Sequence, residues 1–162
     1  MSIYLTDLEI DNIITLPKYY YTEDLMRARW NPQDGHRKKD LPLRLDESTM
    51  QLNIFWRQNL EDQLDFTVGL AYRFPDSNVI INLIRCNGNS HTHKNSLENT
   101  KFDRTFHVHK ATRRYMELSP LKAENFAQVT NAYREIEGAF RYLKEIAHIA
   151  ERKQGMRQLY DF

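Results

Sequence analysis

The chain has 162 residues, 41% of them hydrophobic and 28% charged, which is the composition of one ordinary globular domain and excludes a disordered or fibrous protein. Twenty-three Lys and Arg against twenty-two Asp and Glu leave a formal charge of +1, so nothing global points to nucleic acid or an anionic membrane. The longest apolar run, Val79 to Ile84 interrupted by Asn82, is too short for a bilayer, the N-terminus has no signal layout, and the lone Cys86 rules out a disulfide framework or a multi-cysteine zinc module. A cytoplasmic protein without membrane contact is the expectation.

Thr6-Asp7-Leu8-Glu9 has the form of a capping box and predicts a short N-terminal helix, with Leu8, Ile13 and Leu16 roughly on one side and Pro17 ending it. Residues 18–40 lack clean periodicity and contain Asn31-Pro32, Asp34-Gly35 and a basic run, which reads as a long, mobile loop or an exposed hairpin tip. Within it, Tyr19-Tyr20-Tyr21 followed by Arg27, Arg29 and Trp30 could stack nucleic-acid bases, although core packing or a partner contact is the commoner use of such residues. Alternation over Leu41–Leu45, Leu52–Trp56 and Phe66–Phe74 predicts half-buried strands in a meander, and Val79–Arg85 reads as a central strand covered on both faces. Asn87-Gly88-Asn89 supplies a turn. Arg104 to His109 returns as a strand with Phe106 and Val108 on one face and His107 and His109 on the other.

Thr130 can cap a helix over residues 131–150 in which Tyr133, Ile136, Phe140, Leu143 and Ala147 recur at helical spacing. The resulting expectation is a single α+β domain over residues 1–150: an antiparallel sheet of about five or six strands, with the N-terminal helix and the long C-terminal helix packed on one face. Residues 151–162 read as a loosely held tail, with Leu159, Tyr160 and Phe162 as the side chains able to dock it.

The distinctive chemistry lies between. Four of six histidines fall in nineteen residues, as His91-Thr92-His93 and His107-Val108-His109, and residues two apart in extended chain share a face, so two adjacent strands would gather all four. From Arg85 to Arg114 seven basic residues oppose two acidic ones, making this the basic part of an otherwise slightly acidic chain. Three uses compete. Imidazoles can exchange protons at neutral pH and cleave RNA, one taking the ribose 2′-hydroxyl proton and another protonating the leaving oxygen, while Arg85 and Arg104 hold phosphate. The same imidazoles could ligate a divalent transition metal, with only Glu98 and Asp103 as carboxylate support. Or they are structural. Cys86, after a buried-looking run, is core rather than nucleophile. No glycine-rich phosphate loop, nucleophile elbow or His-Glu-x-x-His motif is present, which disfavours familiar kinases, dehydrogenases and hydrolases.

The order Arg85-Cys86-Asn87-Gly88-Asn89-Ser90-His91, a polar loop, Phe106-His107-Val108-His109 and a terminal amphipathic helix resembles small bacterial and prophage proteins and, more distantly, the TumE-type toxins of toxin–antitoxin systems. The resemblance covers roughly residues 79–150 and picks out Arg85, Asn87, His91, His107 and His109; His93 is a supporting candidate from the histidine pattern, not from the resemblance. It implies a toxin partnered by a DNA-binding antitoxin. The functional expectation is a toxin-like protein of a prophage or mobile element that acts on RNA through His91, His107 and His109 without a cofactor; the alternative is a non-catalytic protein-binding module whose histidines are structural or metal-linked.

Overall fold

In the computed structural model, residues 3–155 are described. Helix α1 (Asp7–Thr15) opens with the expected box: the Glu9 amide donates to Thr6 Oγ1 at 3.1 Å and the Thr6 amide donates to Glu9 Oε1 at 3.3 Å. Its buried face is Ile10, Ile13 and Ile14 rather than Leu8, which is 69% exposed, because the isoleucines at i, i+3 and i+4 complete the stripe.

The segment read as a loop is ordered structure. Strand β1 (Lys18–Tyr21) is buried at every position and pairs in parallel with β11 (Ile149–Arg152), which is exposed beyond Ile149, so aromatic residues without alternation form the covered strand of a two-stranded ribbon. A short helix α2 (Thr22–Arg27) follows, then the hairpin β2 (Asn31–Gln33) and β3 (His36–Pro42). Asp34 and Gly35 both have positive φ at its tip, which suits the right-handed twist of the flanking strands and agrees with the hairpin reading.

Strands β4 (Gln51–Asn59), β5 (Phe66–Arg73) and β6 (Ile80–Asn87) continue the meander, and β9 (His107–Lys110) and β10 (Ala127–Val129) complete a seven-stranded antiparallel sheet in the order β10-β9-β6-β5-β4-β3-β2. Between β6 and β9 the chain leaves the sheet to make a small ribbon, β7 (His93–Asn95) with β8 (Thr100–Phe102). After β9 come α3 (Arg113–Met116), a 3-10 turn at Pro120–Lys122, and the last helix α4 (Ile136–Ile146). The doubly covered strand is β5, not β6: from Phe66 to Tyr72 every residue is buried, whereas β6 alternates. The reason is size. Thr67, Gly69 and Ala71 are small enough to lie beneath larger neighbours, and a Cβ at Gly69 would stand 2.3 Å from the Phe55 ring.

One face of the sheet is the core. The row Trp56-Val68-Cys86-Val108 crosses four strands there and meets α4 through a Trp56–Phe140 edge contact of 5.1 Å. Helix α4 is shorter than residues 131–150: it starts after Glu135 and ends at Ala147, and His148 with positive φ turns the chain into β11. Thr130 accepts from the Ala132 amide at 3.1 Å instead of capping the helix. Residues 149–152, expected to be helix end and tail, are therefore strand. Leu159, Tyr160 and Phe162 lie outside the described residues.

Candidate functional site on the polar face of the sheet

Strand parity decides what faces away from α4. In register across five strands stand Lys38, Arg57, Thr67, Asn87 and His107, and beside them run Asp40, Phe55, Gly69, Arg85 and His109. At about 4.8 Å per strand each row is roughly 19 Å long. A hydrogen-bond chain follows the first row. Thr67 Oγ1 donates to Asn87 Oδ1 at 3.1 Å, and Asn87 Nδ2 reaches His107 Nε2 at 3.5 Å. An open groove of about 440 Å³ lies over the rest, lined by Lys38, Phe55, Arg57, Thr67 and Arg85.

His93, His107 and His109 come together, with ring centroids 4.8 to 5.9 Å apart and Phe102 of the ribbon beside two of them. His107 and His109 are each only 3% exposed. His107 Nδ1 lies 2.8 Å from the Thr105 carbonyl and His109 Nδ1 lies 2.8 Å from the Glu124 carbonyl; a carbonyl only accepts, so both Nδ1 atoms carry protons. Burial, then the charge of Arg85 and the neighbouring imidazoles, pulls His109 down to about 2, and burial likewise lowers His107. Both are neutral at physiological pH. His93 Nε2 donates to Asn95 Oδ1 at 2.9 Å, an oxygen identified by the Ala127 amide that also donates to it. Among the described residues no group of three or more His, Cys, Asp or Glu is arranged to hold a metal ion.

His91 does not join them. The chain bends through residues 89–91, so the same-face rule for residues two apart does not operate, and His91 sits with its side chain 66% exposed and Nε2 3.5 Å from Asp65 Oδ1. Asp65 is the centre of a second cluster that the sequence did not disclose. Arg57 Nη1 donates to its Oδ1 at 3.2 Å, Asn59 Nδ2 donates to Oδ2 at 3.3 Å, and His36 Nε2, which also accepts from Arg57, is 4.0 Å away. Burial raises the Asp65 carboxyl, but hydrogen bonds from Arg57, Ser90 and Asn59 together with the Arg57 charge outweigh it and hold the group below the usual carboxylate range. Asp65 is thus an anion that Arg57 and His91 share.

Arg85 is embedded next to His109. Its Nε is 3.2 Å from Glu124 Oε1 without the alignment of a hydrogen bond, and it is the one buried side-chain nitrogen among the described residues that lacks a hydrogen-bond partner. Arg104 is exposed in the loop before β9 and makes no hydrogen bond or ion pair among the described residues, so it is not gathered into the face. Cys86 is fully buried on the α4 side, where burial pushes its thiol up to about 12, in keeping with a packing residue. Asp65, Arg57, Thr67 and Glu124 were missed from sequence because their only signal is register: each looks like an ordinary strand-end or surface residue until neighbouring strands are aligned.

No protein-family model matches the chain, and no curated protein and no solved structure matches it either. No helix among the described residues is long and apolar enough to cross a membrane.

What the arrangement can do follows from its chemistry. Guanidinium groups and a lysine flank an aromatic ring on an open sheet surface, which is how sheets hold single-stranded nucleic acid, and an exposed imidazole beside an ionised carboxylate can take up a proton.

Proposed function

We propose that this protein binds single-stranded RNA across the polar face of the sheet and cleaves it by histidine acid–base chemistry without a metal. The observation that carries the reading is that Asp65 joins an exposed imidazole, His91, to Arg57 of the polar row. His91 removes the proton from a ribose 2′-hydroxyl, its ring oriented by Asp65; the 2′-oxygen attacks the adjoining phosphorus, and the 5′-oxygen leaves with a proton from water, giving a 2′,3′-cyclic phosphate. Arg57 and Arg85, both lining the open groove, neutralise the phosphate, and Phe55 offers a base a flat surface over Gly69. His107 and His109 hold β9 in place under the ribbon and exchange no proton with the substrate, and Asn87 relays between Thr67 and His107. The resemblance to TumE-type toxins supports a toxin-like role in the cytoplasm, encoded on a prophage or mobile element, with a DNA-binding antitoxin as partner.

The test uses the purified protein and RNA oligonucleotides in EDTA. Wild type cleaves, an oligonucleotide with 2′-deoxyribose at the cut position is inert, and His91→Ala, confirmed folded by circular dichroism, is slower by at least about 100-fold. Full cleavage by His91→Ala would overturn the assignment. In cells, growth arrest by wild type but not by His91→Ala at matched expression is the companion result.

A second reading is favoured by the burial of His107 and His109: a non-catalytic protein-binding module in which the imidazoles are structural. It expects a His91→Ala protein indistinguishable from wild type in partner capture and no cleavage by either.

A further inference from the structure

On the other side of β3 a second site takes shape. Parity places Lys38 on the polar face and turns Lys39 the opposite way, directly across from Trp56. Lys39 Nζ lies 4.8 Å from the Trp56 ring centre and 4.8 Å from that of Trp30, and the Arg37 guanidinium lies 4.1 Å from the Trp30 ring centre. Phe140 of α4 closes the wall against Trp56. These groups line a groove of about 300 Å³, bounded at one end by Ile136 and Glu137, the first two residues of α4.

Three features of this groove share a sign. Neither Arg37 nor Lys39 forms an ion pair among the described residues; Arg37 is bonded to the neutral Gln58 amide at 2.6 and 3.1 Å, and Lys39 rests between indoles. Burial and the neighbouring Arg37 lower the Lys39 ammonium, so a compensating anion is energetically missing. The N-terminus of the eleven-residue α4 ends at the groove, and its N-cap residue Glu135 makes no side-chain cap, its carboxylate lying 3.6 Å from Arg141 instead. Against these stands one acid, Glu137.

We infer that this groove binds a nucleotide, with its base against the half-exposed Trp30 indole, above the buried Trp56, and its phosphate on Arg37, Lys39 and the start of α4. Unpaired cations beside aromatic walls are what a ligand needs that is flat at one end and anionic at the other. The site is separate from the polar face and independent of whether RNA is cleaved there. A free nucleotide and the phosphorylated end of an RNA strand carry the same chemistry.

Both tryptophans of the chain lie in this groove, so the intrinsic indole fluorescence of the full-length protein reports on it alone. Titration with AMP is expected to change that fluorescence saturably at micromolar to millimolar concentration, while adenosine, lacking the phosphate, binds at least about tenfold more weakly. Lys39→Met is expected to raise the AMP midpoint by about tenfold or more, and Arg37→Gln to do the same should Lys39→Met fail to fold; Lys122→Ala, in the 3-10 turn, leaves it unchanged. A 5′-phosphorylated RNA trinucleotide binding much more tightly than AMP assigns the groove to RNA ends, and equal binding assigns it to free nucleotides. No saturable change at millimolar AMP or trinucleotide, equal binding of AMP and adenosine, or midpoints untouched by both substitutions would overturn the inference. Using the His91→Ala protein throughout keeps this result distinct from cleavage on the polar face.

Discussion

Lys18 shows what a single buried charge does for this fold. Its ammonium is 2% exposed and donates to the carbonyls of Ile14 and Leu16 at 2.7 Å each and of Ala147 at 2.8 Å, so one side chain closes the C-terminal ends of both α1 and α4. Burial lowers it to about 8, which leaves it charged at neutral pH. Replacing it by Met keeps the stem and leaves three carbonyls without a donor. We expect Lys18→Met to lose about 3 kcal/mol or more of unfolding free energy, measured by urea denaturation at pH 7; an unchanged midpoint would show that water replaces the ammonium. Asp65 makes the corresponding prediction for chemistry. Asp65→Asn removes the charge that Arg57 and His91 share, so RNA cleavage should fall about tenfold or more while binding, set by the cations, is retained or strengthened; equal rates in the two proteins would remove Asp65 from the mechanism.

At the scale of elements, the turn after β6 is the tightest point. The Gly88 amide donates to the Phe66 carbonyl at 2.9 Å, and a Cβ on Gly88 would stand 1.8 Å from the backbone oxygen of Leu64, which cannot swing away as a side chain could. Gly88→Ala should therefore cost about 2 kcal/mol or more and lower the melting temperature, and because the turn carries Asn87 and leads to His91 it should also weaken the polar face. A melting curve identical to wild type would mean that the β4–β5 connection yields freely. The elements legible in the sequence are those with a strong local signal: the Thr6–Glu9 box, the alternating β4, the Asp34-Gly35 tip and the amphipathic α4. Strand β1 was illegible because four consecutive buried residues carry no period, and its partner β11 lies 128 or more positions away, beyond any local pattern. Thr130 misled for a related reason: a hydroxyl able to cap a helix satisfies the nearer Ala132 amide equally well.

The molecule as a whole couples acid stability to its histidines. His109 ordinarily titrates near 6.5 and is held at about 2 when folded, and His107 is lowered in the same direction. Below pH 6.5 the unfolded chain takes up protons that the folded protein refuses, so their contribution is complete above that pH and declines as pH falls, by up to about 1.4 kcal/mol per unit for each histidine. Thermal melts from pH 7.5 to pH 5 should show this loss, and His109→Gln, which keeps a donor for the Glu124 carbonyl without a titrating ring, should show a shallower one; parallel curves would disprove the linkage. Under the proposed function, RNA affinity should fall steeply with salt, because the polar face offers the strand Lys38, Arg57 and Arg85, and Arg57→Gln should reduce the slope of log affinity against log salt by about one.

The sequence by itself determined the α+β class, the antiparallel meander and the two flanking helices, since capping boxes, strand alternation and helical spacing are written within a few residues of where they act. Only the tertiary structure decided which histidines meet, that His107 and His109 are buried and neutral while His91 stands exposed beside Asp65, and that Arg57, Thr67, Asn87 and His107 form one row. Those outcomes depend on the register between strands far apart in the chain, and a shift of one residue would turn every side chain to the opposite face.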